Sequence, residues 1–195
     1  MSASRPRVHK DLDFNIYLQA KDDGKDFELW DMRYDPRDRS NKFNAPHFPY
    51  HFPYYGPQVA AFLPRVERLC ILFRYHPQAE HTWTFDITHN SPPTGNNGYA
   101  VTAEDVLGGI YDGLQQLPSG EDMEFSKEHN DLANTARVER CKLFGLDVRR
   151  EPVRRIDYLK GVTGFCAFAG LDNYKRHMST PTLRIQLEDV PPKQW

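Results

Sequence analysis

Cysteine is scarce and odd in number in this chain: Cys70, Cys141 and Cys166, widely spaced. Each sits among apolar neighbours, which marks a reduced core thiol rather than half of a disulfide framework. Long hydrophobic runs are missing too. Nothing approaches the ~20 apolar residues of a membrane-spanning helix. The leading MSASRPRVHKDLDF carries no apolar core of a secretory signal. The expected compartment is the cytoplasm, with nuclear entry compatible. Charge of one sign is also missing: the formal net charge is -2, which argues against a broad basic surface for nucleic acid. The local cluster Arg149, Arg150, Arg154 and Arg155 reads first as a solvated face, and only second as a phosphate contact.

Several catalytic signatures are absent. There is no G-x-S-x-G, no Ser-x-x-Lys in a suitable context and no Gly-rich phosphate loop. Cys141 has basic neighbours in Arg140 and Lys142, but adjacent helical residues face different ways, so it reads as core. Prolines keep His47 and His51 off a common helical face, and His76, His81 and His89 follow no ligand spacing. Neither a metal nor a cofactor is expected.

What is present is a globular composition: 195 residues, 39% apolar, with 12 Phe, 10 Tyr and 3 Trp. That supports one domain with a core of its own. Residues 1–12 read as a flexible N-terminus, and 13–190 as a single α+β domain with a Pro- and aromatic-rich insert at about 43–57. In that insert His47-Phe48-Pro49-Tyr50 is repeated at once as His51-Phe52-Pro53-Tyr54. Alternation predicts strands over 13–20, 27–33 and 182–188. The run 66–75, apolar on both faces in its middle, and the cleanly alternating 82–88 predict an antiparallel hairpin. Thr102 is placed to cap a helix, with Glu104 and Asp105 in its first turn and Val106, Leu107, Ile110, Tyr111 and Leu114 at helical spacing. Pro118 stops it. Ser119 caps the next segment, and 120–145 reads as one long helix or two short ones ending at Gly145. Residues 152–159 read as a strand, Lys160-Gly161 as a turn and 165–171 as a second strand. The expected fold is α+β: a mostly antiparallel sheet of about five strands with two or three helices packed on one face.

Four short motifs occur in a distinctive order: Trp30-Asp31-Met32-Arg33, Val101-Thr102-Ala103-Glu104-Asp105-Val106-Leu107, Arg155-Ile156-Asp157-Tyr158-Leu159 and Phe168-Ala169-Gly170-Leu171. In these, over about residues 27–188, the chain resembles a large group of fungal, chiefly basidiomycete, proteins known as a domain of unknown function. The resemblance implies fold and lineage and brings no activity with it. The 43–57 insert is not part of the pattern, so this member's own specificity is expected there.

Two Asp/Arg sets are the sharpest chemical feature. Asp31 with Arg33, and Arg155 with Asp157, lie two residues apart on expected strands. Side by side they make either a carboxylate–guanidinium site for a polar or anionic ligand or a buried ion-pair network that fixes register. The aromatic insert, with His47, Tyr50, His51 and Tyr54, suits stacking on a flat ligand, a sugar or a Pro-rich peptide, or else covers a sheet edge. With Trp30 these are the candidate ligand-binding residues. The leading functional reading is a non-catalytic binding module for an unidentified small molecule or protein, with a homodimer compatible and membranes not involved. The other is a small cofactor-independent enzyme (a lyase, isomerase or hydrolase) using an Asp or His acid–base with an Arg clamp.

Overall fold

Among the described residues the chain forms β1 (Asp13–Phe14), β2 (Trp30–Asp31), β3 (Phe62–Leu63), β4 (Arg68–Phe73), β5 (Trp83–Thr88), α1 (Ala103–Gln115), α2 (Lys127–Phe144), a 3-10 helix (Arg155–Leu159), β6 (Gly164–Leu171) and β7 (Thr182–Glu188). The computed structural model describes residues 13–14, 30–38, 62–63, 66–73, 83–89, 100–120, 126–159, 164–171 and 182–188, with side chains for all but 13–14, 62–63, 164–171 and 182–188.

The hairpin follows its sequence pattern. β4 pairs antiparallel with β5, placing Leu69 opposite Ile87, Ile71 opposite Phe85 and Phe73 opposite Trp83. Trp83, Phe85 and Ile87 are buried while Thr84, Asp86 and Thr88 are exposed, as strict alternation requires. β4 is buried on both faces after Arg68. Phe73 stacks on Trp83 with centroids 5.8 Å apart and tilts against Phe85 at the same distance. Such aromatic cross-strand pairs stabilise a sheet beyond the area they bury.

Helix α1 begins as its sequence predicts. The Thr102 hydroxyl accepts from the Asp105 amide, and the Asp105 carboxylate accepts from the Thr102 amide, a reciprocal capping box. Val106, Leu107, Ile110 and Leu114 face the core. Gly109 and Gly113 bring the helix onto β5. A Cβ at Gly109 would lie 2.8 Å from Ile87 Cδ1, and one at Gly113 would lie 2.5 Å from Phe85 Cδ1. Four helical residues rise ~6 Å, and two strand residues rise ~6.6 Å. The two glycines therefore match Ile87 and Phe85 in step, with helix and strand running in opposite directions.

Helix α2 docks differently. It starts at Ser126, whose hydroxyl accepts from the His129 amide, and not at Ser119. It ends at Gly145, the left-handed residue foreseen there, with φ 65°. Its buried residues are Ala133, Arg140 and Cys141, too few for an apolar stripe. Its attachment is polar. Arg140 grips Asp157, Tyr158 donates to Asn130 at 2.9 Å, and Arg137 donates to the carbonyls of Val148 and Glu151.

These observations overturn the expected architecture. Where side chains are described, the fold consists of two helices, the two-stranded antiparallel sheet β4–β5 and the short strand β2, not a sheet that carries two or three helices on one face. Beyond the hairpin, β6 and β7 are described by backbone pairing alone: β7 runs parallel to β4, β6 runs antiparallel to β7 with register shifts, β2 joins β6, and β1 pairs separately with β3. Only α1 lies chiefly against a strand; the main neighbour of α2 is the 3-10 helix. The physical reason lies in two segments. A helix without an apolar stripe cannot be held by a sheet face. And residues 152–159 do not extend, because Asp157 folds back to accept the Arg154 amide at 2.8 Å while its own amide donates to the Arg154 carbonyl. Ile156, Asp157, Tyr158 and Leu159 are then buried in succession, without alternation.

The glycine contact is open to direct measurement. Gly113→Ala forces a methyl into a Phe85 ring already held by Phe73, and should destabilise by about 1–3 kcal/mol in urea denaturation. Gly120→Ala, where a Cβ meets nothing within 4 Å, should stay within about 0.5 kcal/mol of the parent. Equal effects at the two positions would contradict the close approach.

Candidate functional site

The Asp/Arg residues form two closed sets rather than one shared site. Asp31 on β2 accepts from its own neighbour, with Arg33 donating through its amide at 3.0 Å and through Nε and Nη2. Burial alone pulls the Arg33 guanidinium pKa down, but hydrogen bonding to and the charge of Asp31 outweigh it and leave the pKa raised. Trp30 is buried and donates its indole N–H to the Tyr34 carbonyl at 3.1 Å. Asp157 is 2% exposed and lies between Arg140 Nε at 2.9 Å and Nη2 at 3.0 Å, a bidentate pair with a third donor from the Arg154 amide. Burial opposes the charge on Arg140 as well, and the Asp157 pairing leaves its pKa raised. Arg155 turns elsewhere: its guanidinium lies 5.6 Å from the Trp83 ring centroid and donates to Gln116 Oε1 at 2.9 Å. His47, Tyr50, His51 and Tyr54 lie outside the described residues, as does the whole 43–57 insert.

A different place has room for a ligand. A cleft of about 700 Å³ runs between β5 and α1, lined by the consecutive residues Thr84 to Thr88 on the strand and by Thr102, Glu104, Asp105, Gly108, Gly109, Asp112, Gly113 and Gln116 on the helix side, with Arg37 at its rim. Among the described residues its ionic lining is one arginine against four carboxylates: Asp86, Glu104, Asp105 and Asp112. Arg37 is already engaged. It donates to Asp112 at 2.9 and 2.6 Å and to Asp35 at 2.8 and 3.0 Å. Hydrogen bonding to Asp35, then to Asp112, raises its pKa strongly, and it stays charged. It also packs 5.7 Å from the Tyr111 ring centroid. Gly108 admits it: a Cβ there would stand 3.3 Å from Arg37 Cδ. Asp86 pairs with Arg68 across the hairpin at 3.0 Å, both more than half exposed, where such pairs contribute little.

At one end of the cleft Asp105 gathers donors. Its Oδ2 lies 2.9 Å from the Thr102 amide, 2.7 Å from the Thr102 hydroxyl and 2.7 Å from His89 Nδ1. His89 is 5% exposed. The pair joins a buried imidazole to a carboxylate that lines the cleft, the kind of pair that acid–base chemistry uses. Among the described residues no group of three or more His, Cys, Asp or Glu is placed to hold a metal ion, and no helix is long and apolar enough to cross a membrane.

The cleft residues Arg37 and Asp112, and His89 next to Asp105, are not among the ligand-binding residues the sequence singles out. Their one legible signal is Gly108, Gly109 and Gly113 within a thirteen-residue helix. Each mid-helix glycine costs about 1 kcal/mol relative to alanine, so three together call for a packing reason.

The chain belongs to the family of unknown function DUF6699, whose model matches residues 29–180. That range takes in all four motifs. No curated protein and no solved structure matches the chain.

Asp157 and Arg155, two residues apart in sequence, should respond differently to truncation. Asp157→Ala leaves Arg140 buried without its carboxylate and should cost about 3–5 kcal/mol in urea denaturation. Arg155→Ala removes, among the described residues, a cation–π contact to Trp83 and a hydrogen bond to Gln116, and should cost about 1 kcal/mol. Comparable losses would mean that Arg155 shares the architectural role of Asp157.

Proposed function

We propose that this chain is a non-catalytic binding module of an intracellular, cytoplasmic fungal protein, and that the β5–α1 cleft receives a cationic group of its partner. The observation that carries this reading is the excess of carboxylates over cations among the described cleft residues, with Arg37 tied to Asp35 and Asp112. A cleft rich in one sign of charge concentrates ligands of the other sign. The earlier candidates Asp31 and Asp157 are engaged by Arg33 and Arg140 and do not line the cleft. The lineage, a family without an assigned activity, adds nothing that requires catalysis.

The second reading, a small cofactor-independent enzyme with an Asp/His acid–base, keeps one specific observation: His89 beside Asp105 at the end of the cleft. Turnover of a substrate that is lost in His89→Gln, with binding retained, would favour it.

Isothermal titration with spermine, and with a short peptide alternating Lys and Thr, tests the first reading. At least one should bind at about 50 mM salt, weaken at about 500 mM as charges are screened, and weaken about tenfold in Glu104→Lys. Failure of both to bind would contradict it.

A further inference from the structure

We infer that the occupant of the cleft is an extended basic peptide segment that adds to the outer edge of β5 as a further strand. The inference rests on the reading of the cleft as a cation-binding site and specifies the backbone geometry of what it takes.

Five consecutive β5 residues, Thr84 to Thr88, line the cleft. Alternate strand residues point to opposite faces, so a cleft that touches every residue in turn runs along the edge of the strand. β5 is the last strand in its sheet order, with β4 on its inner side and no strand paired to its outer side among the described residues. An unpaired strand edge presents N–H and C=O groups in the register that another strand needs. The cleft floor is α1, held close by Gly109 and Gly113 and running opposite to β5.

The dimensions agree. The strand from Thr84 to Thr88 covers four steps, ~13 Å. The helix from Glu104 to Asp112 covers eight steps, ~12 Å. In the register set by Gly109 against Ile87 and Gly113 against Phe85, the acidic helix positions run alongside the strand from about His89 to about Asp86. Because the two run in opposite directions, Glu104 and Asp105 lie toward Thr88, and Asp112 lies toward Thr84. Asp86 stands at the midpoint, on the outer face of the strand. A segment of five or six residues laid along this edge meets Asp86 with the side chains of one face. With the alternate side chains it meets Glu104 and Asp105. Asp112 is covered by Arg37 at the other end. The matching sequence carries Lys or Arg at the alternate positions that face Asp86, and β-branched threonines, whose hydroxyls donate to carboxylates, at those that face α1. It has no proline where an amide must donate to the ladder.

The test compares two peptides by fluorescence anisotropy against the full chain. One is a seven-residue acetylated and amidated peptide alternating Lys and Thr; the other is the same peptide N-methylated at every second residue, which keeps its charge and removes the ladder donors from one edge. Binding of the first, a loss of about tenfold or more on methylation and a loss of about tenfold in Asp86→Lys are expected. Asp86 is more than half exposed, and circular dichroism of Asp86→Lys confirms that its fold is kept. Equal binding of the two peptides would overturn strand addition while leaving the cationic cleft intact. Binding of spermine with no binding of either peptide would do the same. Binding of neither spermine nor peptide would overturn both readings.

Discussion

Gly109 and Gly113 set how near α1 can lie to β5, and most of what is distinctive in the described structure follows from that distance. With a methyl at Gly113 the Phe85 ring would have to move, and Phe73 and Trp83 would have to move with it. Interiors packed to crystal-like density transmit such changes instead of absorbing them. The same close seat puts the acidic side of α1 alongside the strand edge, and that juxtaposition is what makes a cleft there. The glycines weaken the helix as a helix, and Val106, Leu107, Ile110 and Leu114 offset this by burying their side chains, at roughly 1.5–3 kcal/mol for each large residue.

The two helices are held by different physics. α1 is fixed by shape, through an apolar stripe and the absence of two side chains. α2 is fixed by polar pairing, chiefly the bidentate Arg140–Asp157 contact with the Pro152 carbonyl as a further acceptor. A buried ion pair stabilises little compared with a well-packed apolar contact of the same volume, but it is specific about geometry, and losing one partner is costly. This pair fixes where the 3-10 helix sits, and with it Leu159 and Ile156 in the core and Arg155 over Trp83. The proposed binding surface and the structural lock thus draw on the same chemistry, carboxylate with cation, at opposite ends of the solvent scale.

How much was legible in the sequence depended on how local the cause was. The β4–β5 pairing could be read from alternation in Trp83–Thr88, and the start of α1 from Thr102 and Asp105, because both signals act within a few residues. Gly145 likewise ended α2. Residues 152–159 misled, since Val153, Arg155, Asp157 and Leu159 alternate as a strand would. What bends them is a carboxylate that reaches back three residues and across to Arg140, seventeen positions away. The charge pattern alone cannot show which of several arginines an aspartate will choose. For that reason Asp31/Arg33 and Arg155/Asp157 do not come together in one site. The parallel pairing of β7 with β4 is equally non-local. The cleft was out of reach because it is the product of two elements whose separation is set by missing side chains.

The central claim is that the outer edge of β5, backed by α1, is the surface through which this chain meets its partner. Amide hydrogen exchange, read residue by residue with and without the Lys/Thr peptide, tests it most directly. The account predicts added protection concentrated in the amides of 84–88, with α2 and the 3-10 helix unchanged. Peptide-dependent protection elsewhere, with β5 exchanging as in the free chain, would contradict it.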